Sequence, residues 1–363
     1  MKTSFTYLLP LLALLSTGIQ AGPLRERSTS SFAGSNNYFL HALSADEQSN
    51  YIITGATGAC EKGSQTTKIP DLETTIGTYD DTVLDALDSV LAQLTEAGIK
   101  AIISPHDAGV VAGTNGCDVY CDKYTSSDNF YGSDSAKSEY DARLAHILNY
   151  VSPSSGKKWG QWPDAIAAFD IENEPMIGSV GKLQDNDPDD WICGRAGNMQ
   201  SVIGGSGVRI ATGGIGGSDY CCDHEFNLLD KALACDAIDI MSVHGYMTAA
   251  DQWQYFIPSL EQQAAAKGKL LMIEEWGVTG DPSGQFADQV AVFNDAGVPW
   301  LYWQVVPGAD QTQSCSGSCC GNNNGNSYDG FEIGLDSSKG DVAGAVSTAN
   351  GQSAPQDWGF IVS

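Results

Sequence analysis

The sequence predicts an α/β chain, a (β/α)8 barrel of the TIM type that is incomplete at its second strand unless one weak segment fills the gap. Two observations carry that reading. Short apolar runs of the buried parallel-strand type alternate with amphipathic helical runs from residue 32 to residue 303, with no linker between them. Polar side chains collect where the apolar runs end, at His106-Asp107, Asn173-Glu174, His244-Gly245-Tyr246, Glu275-Trp276 and Trp303-Gln304. A barrel carries its active site on the rim made by the C-terminal ends of its strands, whereas an open doubly wound sheet gathers ligand groups at one switch point. Polar ends spread over five strands favour the barrel.

Residues 1–21 read as a secretory signal peptide, with Lys2 as the positive start, an apolar stretch at 8–15 broken by Pro10, and a small-residue cleavage site at Ala21. Residues 22–31 are a short pro-segment or a disordered lead, and 32–363 form one barrel domain. The first strand is expected at 32–40. Residues 41–77 are polar and rich in Gly and Thr, and only Tyr51-Ile52-Ile53-Thr54 offers a second strand. A strong helix then starts at Asp80-Asp81, with Val83, Leu84, Leu87, Val90, Leu91 and Leu94 on one face and Ala97-Gly98 as its stop. Strands follow at 99–104, 166–174, 208–212, 237–244, 270–275 and 298–303, and helices at 140–151, 191–203, 226–234, 260–267 and 285–296.

The ten cysteines form an even set, which in a secreted chain implies disulfides. Cys117-x-x-x-Cys121 has no second Cys/His pair at zinc spacing, so it reads as structural and no metal site is expected. A net charge of −27 repels nucleic acid and anionic membrane, whose binding needs basic surface, and a neutral substrate suits it better. A monomer is expected. Gly213-Gly214-Ile215-Gly216-Gly217-Ser218 follows a strand but lacks the dinucleotide spacing, and reads as a flexible rim loop. Neither a Gly-x-Ser-x-Gly elbow nor a His-Glu-x-x-His pair occurs, which removes the serine hydrolase and zincin classes.

Two runs deliver carboxylates to strand ends about a hundred residues apart: 167–175, ending in Asn173-Glu174-Pro175, and 270–277, ending in Glu274-Glu275-Trp276-Gly277. Two such acids on separate strands are what glycoside hydrolysis needs. Pro175 ends the first strand and holds Glu174 at the rim, where it suits the acid/base role. Neighbours on a strand face opposite ways, so only one of Glu274 and Glu275 is expected to face the substrate, and Glu275 is nearer the strand end. Glu172 is the competing acid in the first run, expected below the site. Trp, Asn and His together make a sugar-binding vocabulary, because a pyranose offers C–H faces to aromatic planes and hydroxyl edges to amides and imidazoles. Taken singly, Trp303 reads equally as a core aromatic, and His106 and His244 as satisfied buried histidines.

With Asn173-Glu174-Pro175, Glu275-Trp276-Gly277, His244-x-Tyr246, Trp303 and the Phe32-Ala33-Gly34-Ser35-Asn36 run, the chain from Phe32 to about Asp336 resembles glycoside hydrolase family 5, and within it secreted fungal members of the mannanase or cellulase kind. The resemblance implies a retaining hydrolase without a cofactor that cuts a β-linked polysaccharide or oligosaccharide. β-1,4-Mannan is the first expectation and β-glucan the second. It implies Glu174 as acid/base, Glu275 as nucleophile, Asn173 on the hydroxyl beside the reacting carbon, His106, His244 and Tyr246 lining the reacting-sugar subsite, and Trp303 as its stacking platform. The family also carries an arginine at the end of the second strand, which keeps the nucleophile ionised. This sequence has no arginine between Arg27 and Arg143. Three readings of that departure stay open: an incomplete version of a working enzyme, another group in the arginine's place, or a barrel that binds carbohydrate without cutting it.

Overall fold

The structure is a computed structural model that describes residues 30–36, 71–114, 116–219, 224–279, 285–305, 331–334 and 339–362. Seven parallel strands form its sheet: β1 Ala33–Asn36, β2 Ala101–Ile103, β3 Ile166–Asp170, β4 Arg209–Ala211, β5 Ile240–His244, β6 Leu270–Trp276 and β7 Trp300–Trp303. Their spatial order is β1-β7-β6-β5-β4-β3-β2. The first strand thus pairs with the last, Ala33 beside Trp300 and Asn36 beside Trp303. That pairing joins the two ends of the chain's strand sequence, as barrel closure requires and a doubly wound sheet does not. The fold is an incomplete (β/α)8 barrel. Among the described residues its open place lies between β1 and β2, and the weak strand candidate at Tyr51-Ile52-Ile53-Thr54 falls outside those residues.

Six long helices cover the sheet: α1 Thr82–Glu96, α2 Asp134–Asn149, α3 Trp191–Ile203, α4 Ala250–Ala266, α5 Gln285–Ala296 and α6 Val342–Gly351. α1 buries Leu84, Val90 and Leu91 and stops where Gly98 turns to φ +73, a conformation open to glycine at no steric cost. α2 starts earlier than its apolar pattern suggests, because the Ser133 side chain accepts from the Ala136 N–H and caps a polar first turn. α4 runs past Pro258, which sequence rules treat as a boundary, since Trp253, Phe256, Ile257 and Leu260 all bury on one face. The helix expected at 226–234 shrinks to Asp230–Leu233.

The floor of the barrel is closed by the C-terminal tail. Phe32, just before β1, and Ala168, Ala211, Ile240 and Met272 from four strands pack with Ala354 and Trp358. Phe32 and Trp358 pack edge to face with centroids 5.2 Å apart. Gln356 fastens the tail by accepting from the Leu271 N–H at 2.7 Å and donating to the Lys269 carbonyl at 2.5 Å. Cys117–Cys121 and Cys193–Cys235 are disulfide-bonded, the second tying α3 to the segment before β5. The other six cysteines lie outside the described residues. Among the described residues no helix is long and apolar enough to cross a membrane.

Candidate active site

Glu174 follows β3 by four residues, in the left-handed region at φ +49. A non-glycine residue there costs on the order of 1–3 kcal/mol and persists only when its surroundings over-determine it. Here the Glu174 N–H donates to the Gly213 carbonyl at 2.7 Å, its own carbonyl accepts from Ile177 at 3.1 Å, and Pro175 stops the strand. Gly213 and Gly214 permit this. Both have φ +75; a Cβ on Gly213 would sit 1.9 Å from the Glu172 carbonyl oxygen, and one on Gly214 would sit 2.2 Å from the His244 ring. The segment read as a flexible rim loop is therefore buried at Gly213, Gly214 and Ile215, and it sets the position of two site residues.

On β6 the register against β5 shifts between Ile273 and Glu275, and against β7 between Ile273 and Trp276. Such a bulge breaks the alternation of side chains. Both Glu274 and Glu275 are buried and both reach His244, so strict alternation does not turn one of them away from the interior. Glu275 Oε1 accepts from the Tyr246 hydroxyl at 2.7 Å, and its Oε2 accepts from Asn36 Nδ2 at 3.0 Å. His244 is held by Asn227, whose amide takes the His244 N–H at 3.0 Å and donates to the His244 carbonyl at 3.2 Å. One atom each of Glu174, His244 and Glu275 lie within 4.8 Å of one another. Gly277 completes the rim: a Cβ there would meet the Trp303 carbonyl at 2.6 Å, so only glycine lets the end of β7 approach β6 this closely.

Burial pushes the Glu275 carboxyl up to about 7; the Glu174 and Glu274 charges act the same way, while His244 and the Tyr246 hydroxyl oppose them. For His244, burial disfavours the charged ring, but Glu275, Glu174 and Glu274 outweigh it and hold the imidazole well above its ordinary value. A cation could draw one ligand atom from each of Glu174, His244 and Glu275, but only from a deprotonated imidazole. The carboxylates favour the protonated form of that imidazole, so a proton competes for the nitrogen a cation would use.

His106 is placed differently from the expectation that it lines the same subsite. Nδ1 lies 2.7 Å from Glu172 Oε1 and Nε2 lies 2.8 Å from Asp118 Oδ2, so both ring nitrogens are engaged. Burial works against its charge, yet these two carboxylates push it up to about 9. Glu172 turns to His106 and accepts from the Tyr131 hydroxyl at 2.8 Å. Asn173 stands at the rim, half-buried, its Nδ2 donating to Asp107 Oδ1 at 3.2 Å. Trp303 ends β7, half-buried, beside Asn36. The structure thus gathers Glu174, Glu275, His244 and Tyr246, with Asn173 and Trp303 on the same rim. It adds Asn36 and Glu274, which sequence reasoning assigned no role. Asn36 had the needed signal, since Gly34-Ser35-Asn36 is a polar strand end like the others. Arg143 is occupied elsewhere, donating to the Pro105 carbonyl and to Glu73, each at 3.2 Å.

A family model described as Cellulase (glycosyl hydrolase family 5) matches residues 58–308. Among solved structures, the chain is similar to the hyperthermostable endo-1,4-beta-D-mannanase of Thermotoga petrophila RKU-1, with a TM-score of 0.62 at 18% identity over 88% of this chain and 99% of that one. It is similar to the endo-1,4-beta-mannanase of Rhizomucor miehei, with a TM-score of 0.60 at 16% identity, covering 89% and 96%. A family 5 mannosidase from the same organism gives 0.59 at 14% identity, covering 89% and 92%. At such identities the likeness speaks to the fold. No curated protein matches the sequence.

Proposed function

The chain belongs to glycosyl hydrolase family 5, and from that membership we propose that it is a secreted, monomeric, retaining glycosidase that cuts internal bonds of β-1,4-mannan, with Glu174 as acid/base and Glu275 as nucleophile. The observation that carries the reading is the placement of these two acids, on the ends of β3 and β6 with oxygens within 4.8 Å of each other. Retaining glycosidases hold their carboxyl groups about 5–5.5 Å apart, and inverting ones about 6.5–9.5 Å, to leave room for a water.

In the first step Glu174 gives its proton to the glycosidic oxygen as a Glu275 oxygen bonds to the anomeric carbon, and the shortened polysaccharide leaves as the alcohol. In the second step Glu174, now a carboxylate, takes a proton from water. The hydroxide so formed attacks the anomeric carbon and frees Glu275. Tyr246 and Asn36 each hold one oxygen of Glu275 and fix its plane for attack. Asn173 is assigned to the hydroxyl beside the reacting carbon and Trp303 to the C–H face of that sugar. Two carboxyls complete the chemistry, so no cofactor enters it. A β-glucan is the second reading, favoured by the family's description as cellulase. Mannan is placed first because the similar folds are those of mannanases and a mannosidase. Secretion is supported by the disulfides and by the signal-like first 21 residues.

Release of reducing sugar from mannan, glucan and xylan, run beside Glu174→Gln and Glu275→Gln, tests this. We expect turnover on mannan, lost in the Glu275 variant and lowered about 10²–10⁴-fold in the Glu174 variant. Binding of mannan by the wild type with no turnover would leave a carbohydrate-binding barrel instead.

A further inference from the structure

The mechanism above leaves Glu274 unused, although β6 gives up regular pairing to bring it inside. His244 shows what it does there. Nδ1 of this ring lies 3.3 Å from Glu174 Oε1 and 3.5 Å from Glu275 Oε2, and Nε2 lies 3.4 Å from Glu274 Oε2. A ring with carboxylates at both nitrogens satisfies them together only as imidazolium, with a proton on each. Glu274 is buried, and its carboxylate also interacts with the carboxyl of Asp170. Asp170 lies buried next to it, held by the Ser104 hydroxyl. Burial, with the Glu274 charge adding to it, pushes the Asp170 carboxyl well above its usual range and favours its neutral form.

We propose that Glu274 is a positioning residue: by accepting from His244 Nε2 it keeps the imidazole doubly protonated, with the Nδ1 proton between Glu174 and Glu275, and so supplies the positive charge that no arginine supplies here. The proposal rests on the retaining reading of Glu174 and Glu275. Among the described residues, the titratable groups facing His244 are acidic: Glu174 and Asp170 from the β3 side, Glu274 and Glu275 from β6. Gly214, packed on the ring from the β4 side, brings no charge. Glu274 also repels Glu275 directly, but the attraction of His244 for Glu275 is the larger of the two effects. Glu275 and Glu174 also hold the imidazole proton, so neutralising Glu274 loosens that proton without removing every hold on it, and makes Glu275 harder to ionise.

The test follows the imidazole ¹⁵N shifts of His244 against pH in the full chain, assigned with His244→Asn. The wild type should stay doubly protonated at pH values where an ordinary histidine is already neutral. Glu274→Gln should lower the midpoint by about one unit or more, a tenfold change in the protonation ratio, and Glu274→Asp should keep most of the wild-type midpoint. On the polysaccharide the wild type cuts, the acid limb of kcat/KM for Glu274→Gln should move to higher pH, with KM changed by less than about threefold. A merely structural role would lower kcat at every pH and leave the limb in place. A wild-type His244 that is singly protonated near pH 7, or an unmoved midpoint in Glu274→Gln, overturns the proposal. If Glu274→Gln does not fold, the wild-type and Glu274→Asp titrations decide it. A wild type without turnover on any polysaccharide removes the functional reading, while the imidazole titration still answers for Glu274.

Discussion

His106 and His244 both stand at strand ends, both are buried, and both have a carboxylate at each ring nitrogen, yet only His244 touches the glutamate pair. The contacts of His106 are short, at 2.7 and 2.8 Å, and its partners are themselves tied down. Asp118 caps the helix Val119–Tyr124 by accepting from the Tyr120 and Cys121 N–H groups, and the Cys117–Cys121 disulfide brackets it. Glu172 is held by Tyr131. The contacts of His244 are longer, 3.3 to 3.5 Å, and are shared among three acids. In both places the carboxylates outweigh burial and favour the cation. What differs is whether the partners are already satisfied: a closed network stiffens the fold, whereas a loosely shared one leaves charge to act on the pair.

The largest effect expected from this contrast is on stability. His106→Asn leaves the fully buried Glu172 without its cation, and breaking a buried pair in this way costs about 3–5 kcal/mol. Urea denaturation should show that loss, while turnover per folded molecule stays within about threefold of wild type. A stable His106→Asn variant without activity would break the comparison. Next, His244→Asn should lower kcat/KM about 10²-fold near pH 6, the size seen when one charge-stabilising donor is removed, and should move the acid limb upward.

A smaller effect separates position from charge. Gly214→Ala places a methyl 2.2 Å from the His244 ring, whereas Gly217→Ala, also at positive φ, has as its nearest neighbour the His244 carbonyl oxygen at 3.8 Å. Both should lose more than about 1 kcal/mol through the backbone conformation, but only Gly214→Ala should also lose turnover per folded molecule. Equal activity in the two would mean that the contact with the ring is unimportant. The smallest effect is a slope. His106 is held at about 9 in the folded chain against 6.5 for an ordinary histidine, so its stabilisation is complete below about pH 6.5 and is lost as pH rises through 9. Thermal scans between those values should show wild-type stability falling, and His106→Asn falling less.

Much of the site was legible because its signals are local. Pro175 after Glu174 and Gly277 after Glu275 mark strand ends, and each glutamate stands where its apolar run stops. For His106 the sequence leaves two readings open, a subsite role and a satisfied buried histidine, for a complementary reason. A polar residue at a strand end looks the same in sequence whether it faces the cleft or a network such as Asp118, Glu172 and Tyr131, brought from 12 and 66 residues away and from the helix Ser127–Gly132. The tail carried no readable signal, because Gln356 and Trp358 matter only through β6 and Phe32, far off in the chain.

The amino-acid sequence by itself determined the alternation of strand and helix and the two acids at strand ends, since periodicity and chain-breaking residues act over a few neighbours. Only the tertiary structure decided that Glu274 turns inward with Glu275, that His244 lies among three acids, and that Asn36 reaches Glu275 across 239 residues. A strand's register depends on the strands beside it, and a carboxylate's ionisation depends on whatever charge the fold sets within a few ångströms.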